Sequence, residues 1–220
     1  MNGWHWIGAD HTLRTGEVVV PNGIYRAVGP LKMCANGVHA SRRALDALRY
    51  APGPVVCAVV LSGELQHDTD KSVARERRVV WMADATNVLH EFACIVATDA
   101  LALVEARGMT VDPCSWAAIE AKRGWLRGLT TDADLGVAWV AAEVAAWGEA
   151  AGAARAAAGA AWGEARTAAW GAARGAARDT AWTLQNSVLE TMLETVRRSL
   201  AALEERPTVA GGNHDQGASW

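Results

Sequence analysis

The chain lacks most of the signatures that announce an activity. Its four cysteines, Cys34, Cys57, Cys94 and Cys114, contain no C-x-x-C pair and stand 23, 37 and 20 residues apart. Thiols so spread through 220 residues form neither a disulfide framework nor a metal-binding pattern. Cys34, Cys57 and Cys94 sit among apolar neighbours and read as small core residues. There is no G-x-x-x-x-G-K-[ST] or G-x-G-x-x-G run to cradle phosphates, and no G-x-S-x-G elbow to expose a nucleophilic serine. An excess of positive charge is missing too. Residues 1–110 carry 11 basic and 11 acidic side chains and residues 111–220 carry 10 and 13, which argues against a nucleic acid partner. The opening MNGWHWIGADHT has no basic start followed by an apolar run, so it does not read as a signal peptide. No uninterrupted apolar window of about 18 residues occurs, so no membrane span is expected. The expected setting is reducing and cytoplasmic.

What the chain does have divides into two parts. In the first, WHWI and EVVV flank a Thr15-Gly16 turn signal, and the spacing predicts a hairpin of two short strands. Ile24–Val28 has strand-like composition, and Ala35-Asn36-Gly37 is a turn. Ser41 is placed to cap a short helix over RRALDALRY, which Pro52-Gly53-Pro54 stops. VVCAVVL at 55–61 is the near-continuous apolar run of a strand covered on both faces. A polar loop, SGELQHDTDKS, leads to a neighbouring or edge strand at 77–82. Residues 86–106 show helical spacing, with Thr86 or Asn87 as cap.

The second part changes composition abruptly after a linker at Met109–Pro113. Of the 40 residues from 141 to 180, 20 are alanine and six are glycine. Each glycine costs a helix about 1 kcal/mol relative to alanine, so packing must hold this stretch. The glycines fall in three G-x-x-x-G pairs: Gly148 with Gly152, Gly159 with Gly163, and Gly171 with Gly175. Such pairs bare the backbone of one helix face to close approach. Trp147, Trp162 and Trp170 would supply bulk beside it, making this stretch a surface for helix-to-helix contact or self-association. Residues 183–205 form a cleaner amphipathic helix, and the tail after Pro207 reads as disordered.

These patterns predict an α+β fold. A small mixed α/β domain spans 1–110, an Ala/Gly/Trp-rich helical hairpin or bundle spans 111–205, and a disordered tail spans 206–220. Polar side chains gathered at element ends around the buried strand are where a pocket would form. The ligand-binding candidates are His39, Tyr50, His67, Asp70, Lys71 and Arg75, within a wider set that includes Tyr25, Arg26, Ser41, Arg42, Asp68, Glu76 and Arg77. No resident metal is expected.

Residues 11–97 resemble an uncharacterised family met in phage and bacterial genomes. The resemblance rests on HTLRTGE, then LKMCANGVHASRRALDALRYAPGPVVCAVVLSGEL, then DTDKSVARERRVVW and the DA..VLHEFA helix. Many members are similar in also carrying an Ala/Trp-rich helical tail ending near a Gln-Asn, as Gln185-Asn186 does here. The resemblance implies a phage or bacterial origin and brings no activity. More loosely, GVHAS…ALDALRYA…VVCAVVLSGEL resembles the strand–helix–strand core of ADP-ribosyltransferases. That similarity implies an enzyme handling NAD or another nucleotide, with Arg26, His39, Tyr50 and Glu76 as catalytic candidates. His39 would stand at the family's second-motif tyrosine, and Glu76 in the acidic role. Because the chain carries no H-G-[ST] and no clear S-T-S, the first expectation is a non-catalytic interaction protein without a cofactor, immunity- or counter-defence-like, engaging a protein partner or itself. The NAD- or nucleotide-handling enzyme is the alternative.

Overall fold

A computed structural model describes residues 1–145 and 178–205. Among the described residues five antiparallel strands form one sheet: β1 (Asn2–Ile7), β2 (Ile24–Arg26), β3 (Val38–Ala40), β4 (Val55–His67) and β5 (Ser72–Asp84). The order is β1-β4-β5-β2, with β3 pairing to β5 just beyond β2 on the same edge. The helices are α1 (Ala44–Leu48), α2 (Thr86–Ala106), α3 (Pro113–Leu126), α4 (Asp132–Ala145) and, after the residues not described, α5 (Arg178–Glu204).

The sheet is built on the apolar run expected at 55–61. Val55, Val56, Cys57, Val59 and Leu61 of β4 are buried, between β1 on one side and β5 on the other. Alternation then sorts the side chains into two cores. Ile7, Tyr25, Ala40, Cys57, Val59, Leu61 and Val79 fill one face. On the other face Trp6 and Val56 pack with α1, α2 and α5. The sheet also curls: Ser41, just past β3, exchanges both backbone hydrogen bonds with Trp4 of β1, at 2.7 and 3.0 Å. β1, β4, β5 and β3 therefore close on one another like a small barrel.

Several local expectations are corrected. WHWI does lie in a strand, but it pairs with β4, and Glu17–Val20 forms no strand. The backbone around Val18–Val20 is instead held by an isolated bridge to Thr12, by Val19 N donating to His11 O at 2.7 Å, and by a side chain, with Tyr25 Oη accepting from Val20 N at 2.9 Å and donating to Val18 O at 3.1 Å. The stretch Ser62–Lys71 is mostly strand rather than loop, because β4 and β5 run on as a long polar hairpin whose turn is confined to 68–71. Cys34 is exposed, not core. It sits at φ 63° inside a tight turn in which Lys32 and Asn36 exchange backbone hydrogen bonds. Ser41 is buried in the sheet closure and does not cap α1. Nor does Thr86 or Asn87 cap α2: Asp84 Oδ1 accepts from Thr86 N at 2.7 Å.

The cap of α1 comes from the far end of the chain. Ala44 N donates to Glu190 Oε1 and Leu45 N to Asn186 Oδ1, both at 3.0 Å, and Trp182 Nε1 donates to Asp46 at 2.8 Å. Leu189 and Leu193 of α5 are fully buried beside Leu45, Val56, Phe92 and Leu101. The packing expected to stop near residue 110 thus includes the last helix. A five-residue helix cannot satisfy its own first four N–H groups, so α5 is what makes α1 tenable. By length and composition α2 is apolar enough to cross a membrane, but Phe92, Ala93, Val96, Ala97 and Leu101 are buried in this core. The helix α3 starts on Pro113, capped by the Asp112 carboxylate, and packs against α2 and α4.

The helix-contact surface expected from the sequence falls beyond α4. Gly148, Gly152, Gly159, Gly163, Gly171 and Gly175, together with Trp147, Trp162 and Trp170, lie outside the described residues, as does the tail from 206 onward.

Candidate functional site

Some of the candidate residues gather into one cluster and the others are placed apart from it. His39, Tyr50, Asp70 and Lys71 come together where the C-terminal end of α1 meets the tip of the β4–β5 hairpin. Tyr50 leaves α1 at the Pro52-Gly53-Pro54 corner and is half exposed. Its hydroxyl donates to Asp70 Oδ2 at 2.8 Å, and Arg49 Nη1 donates to the same oxygen at 2.8 Å. Lys71 Nζ donates to Tyr50 Oη at 3.2 Å and stands 4.3 Å from the centre of its ring, a cation–π contact. The Cys34 thiol also lies beside Lys71, and that neighbour, then the Tyr50 hydroxyl, lifts its ammonium above the usual lysine value.

His39 closes the string. Its Nε2 accepts from Cys34 N at 3.1 Å, and the Gly37 backbone beside the ring favours its charged form. Partial burial, then the charges of Lys71 and Arg77, hold His39 below the usual histidine value. The imidazole is therefore neutral near pH 7, with Nε2 as acceptor.

The remaining candidates are engaged elsewhere. Arg26 and Glu76 face each other across β2 and β5, with Nε 2.7 Å from Oε2, and Ser62 Oγ donates to the other carboxylate oxygen at 3.0 Å. Arg75 binds Glu64 at 2.9 Å and donates to the carbonyls of Ala27 and Gly29. His67 Nδ1 lies 2.8 Å from Ser72 Oγ. Arg42 is exposed, and Asp68 Oδ1 accepts from Thr69 N within the hairpin turn. Sequence reasoning missed Arg49 as a member of the cluster. It also misplaced Cys34, although the adjoining Asn36-Gly37 turn signal marks that stretch as surface. Among the described residues no group of three or more His, Cys, Asp or Glu is placed to hold a metal ion.

Residues 8–91 match the model of a family described as Domain of unknown function (DUF7666), an uncharacterised family. The match spans every residue of the surface cluster. No curated protein and no solved structure matches the chain.

Proposed function

We propose that the chain is a non-catalytic binding protein that recognises a protein partner through the cluster of Cys34, His39, Arg49, Tyr50, Asp70 and Lys71. One observation carries this reading. Arg49 and Tyr50 at the end of α1 and Asp70 and Lys71 at the hairpin tip are joined in a single hydrogen-bonded string at the surface, with Cys34 and His39 beside it and Tyr50 50% exposed at its centre. A tyrosine and an arginine held in fixed rotamers, with area still facing water, are the side chains that dominate protein interfaces, since little entropy is lost on docking. The acidic groups that chemistry would use are already committed. Asp70 accepts from two donors, and Glu76 is neutralised by Arg26. An immunity- or counter-defence-type role in phage or bacteria would follow from occluding that partner, and the paired-glycine stretch would add self-association. The phage or bacterial setting rests on the sequence resemblance, the occluding role on analogy with the architecture, and the self-association on the glycine spacing.

The test is capture from a bacterial lysate with three baits run in parallel: the native chain, Tyr50→Ala and Lys71→Glu. A protein held by the native bait and lost from both variants supports the reading. Loss of one anchor of this kind costs about 2 kcal/mol or more of binding. Equal capture by all three would refute it. The enzyme alternative is tested by thermal shift with NAD, ADP-ribose and nucleotides. A shift that His39→Ala abolishes would replace the binding reading with the catalytic one.

A further inference from the structure

The concave face of the curled sheet holds a buried cation that the surface cluster does not use. Arg77 of β5 is 2% exposed, with Tyr25 of β2 and Leu61 of β4 as its cross-strand neighbours. Its Nη1 donates to the His39 carbonyl at 3.0 Å, and its guanidinium carbon lies 5.7 Å from the centre of the Tyr25 ring. Among the described residues its Nε is buried with no hydrogen-bond partner, and Arg77 is in no ion pair. Burial lowers its pKa to about 10, so it stays charged near neutrality. A buried guanidinium is strongly unfavourable unless an anion or a full set of acceptors meets it. The edge left open here is Nε with Nη2, which grips a carboxylate or phosphate through two parallel bonds. Nη1, the atom outside that edge, is the one already spent on backbone.

A second group shares this face. His5 pairs with Cys57, so its ring stands on the same side as Arg77, and it keeps part of its surface in solvent. The connection between β1 and β2 covers the face, with Val19 buried in the same core. Glu17 on that connection is exposed at the surface, yet close enough for its charge to favour the charged form of Arg77. It is a carboxylate able to compete for the guanidinium, and no hydrogen bond or ion pair joins the two.

We propose that Arg77 is the floor of a binding site for a single oxyanion group, a carboxylate or a phosphate, which enters beside His5 and takes the Nε–Nη2 edge. The site is distinct from the surface cluster, which it meets through the His39 carbonyl. Glu17 is the chain's own weak competitor, so removing its charge should tighten binding.

The experiment compares thermal unfolding of the full chain in sodium chloride, sodium acetate and sodium phosphate at equal ionic strength. It is paired with a titration of the Arg77 Nε–H resonance by each salt. The expected result is a saturable rise in Tm with phosphate or acetate over chloride, lost in Arg77→Met and larger in Glu17→Gln. The Nε–H signal should shift and saturate over the same range, and whichever salt acts identifies phosphate or carboxylate as the ligand group. Should Arg77→Met fail to fold, the resonance in the native chain and the variant His5→Asn, which should weaken the shift, give readouts that do not depend on it. An Nε–H signal unmoved by both anions would overturn the proposal. So would a salt effect equal in the native chain and Arg77→Met, which would mark general ion exclusion.

Discussion

Replacing Asn186 with leucine should loosen a helix that lies 141 residues away in sequence. Asn186 is 6% exposed, and its Oδ1 is the acceptor for Leu45 N. Leucine has similar volume, so packing against the α1 side of the core is largely kept and the acceptor alone is lost. A buried N–H left without a partner costs about 1–3 kcal/mol. The short α1 cannot recover the bond internally, because its first N–H groups have no intrahelical acceptors. At a urea slope of about 2 kcal/mol per molar, the midpoint should fall by roughly 0.5–1.5 M. Hydrogen exchange locates the effect: the amides of Ala44 and Leu45 should lose protection, while those of β4 change only with global stability. Leu193→Ala, at a fully buried position on the same helix, sets the scale at about 2–5 kcal/mol. A native urea midpoint together with unchanged protection at Leu45 would show that α5 does not cap α1, and the reasoning would fail.

The same structure makes expectations for thiols and for acid. A thiol reagent followed by mass spectrometry should modify Cys34 rapidly in the native chain. Cys57 and Cys94 should react only on unfolding, since burial removes access and pushes both thiols up to about 11; quick native labelling of either would contradict the packing. Burial, Arg77 and His39 hold His5 well below 6.5. Below about pH 6.5 the unfolded chain therefore takes a proton that the folded chain refuses. Stability contributed by the neutral ring is complete above that value and falls as pH drops toward the folded pKa, with a limiting slope of about 1.4 kcal/mol per pH unit. Urea midpoints measured from about pH 7 to pH 5 should decline, with a shallower decline in His5→Asn; parallel curves would exclude His5 as the cause.

Legibility in the sequence followed how local each determinant is. The apolar run of β4 and the helical spacing of α2 could be read because a fully covered strand and an amphipathic helix impose their own periodicities. The partner of β1 could not, since nothing in WHWI distinguishes a hairpin with EVVV from pairing with β4 some 50 residues on. Polarity in Ser62–Lys71 reported solvent rather than absence of strand; a hairpin that outruns the core shows polar side chains on both faces and still pairs its backbone. Ser41 has the right chemistry and position for a helix cap, but its backbone is taken by Trp4. Tertiary pairing outranks a local preference worth about 1 kcal/mol. The polar cluster was legible as a set of residue types at element ends. Its membership was not, because only the fold decides that Asp70 meets Arg49 and Tyr50 while Glu76 meets Arg26.

The family match runs from residue 8 to residue 91, and so covers the surface cluster while omitting two parts that fix it. One is α5. The other is β1, which pairs along β4 and whose Trp4 closes the sheet against Ser41, two residues after His39. Gly3 is the test of that closure. A Cβ there would stand 2.7 Å from Ser41 O and 3.3 Å from Ala40 Cβ. The first is backbone and cannot rotate away, so Gly3→Ala must push β1 and the residues after β3 apart. Overpacking of this kind costs about 1–3 kcal/mol. The displacement should reach His39 through Ala40, so the variant should disturb the Cys34 N to His39 Nε2 bond without altering any residue of the cluster. Resonances of the His39 ring and the Cys34 amide report this directly. If both stay at native positions in a destabilised Gly3→Ala chain, the cluster is held within the matched segment alone, and the closure contributes stability but not its geometry.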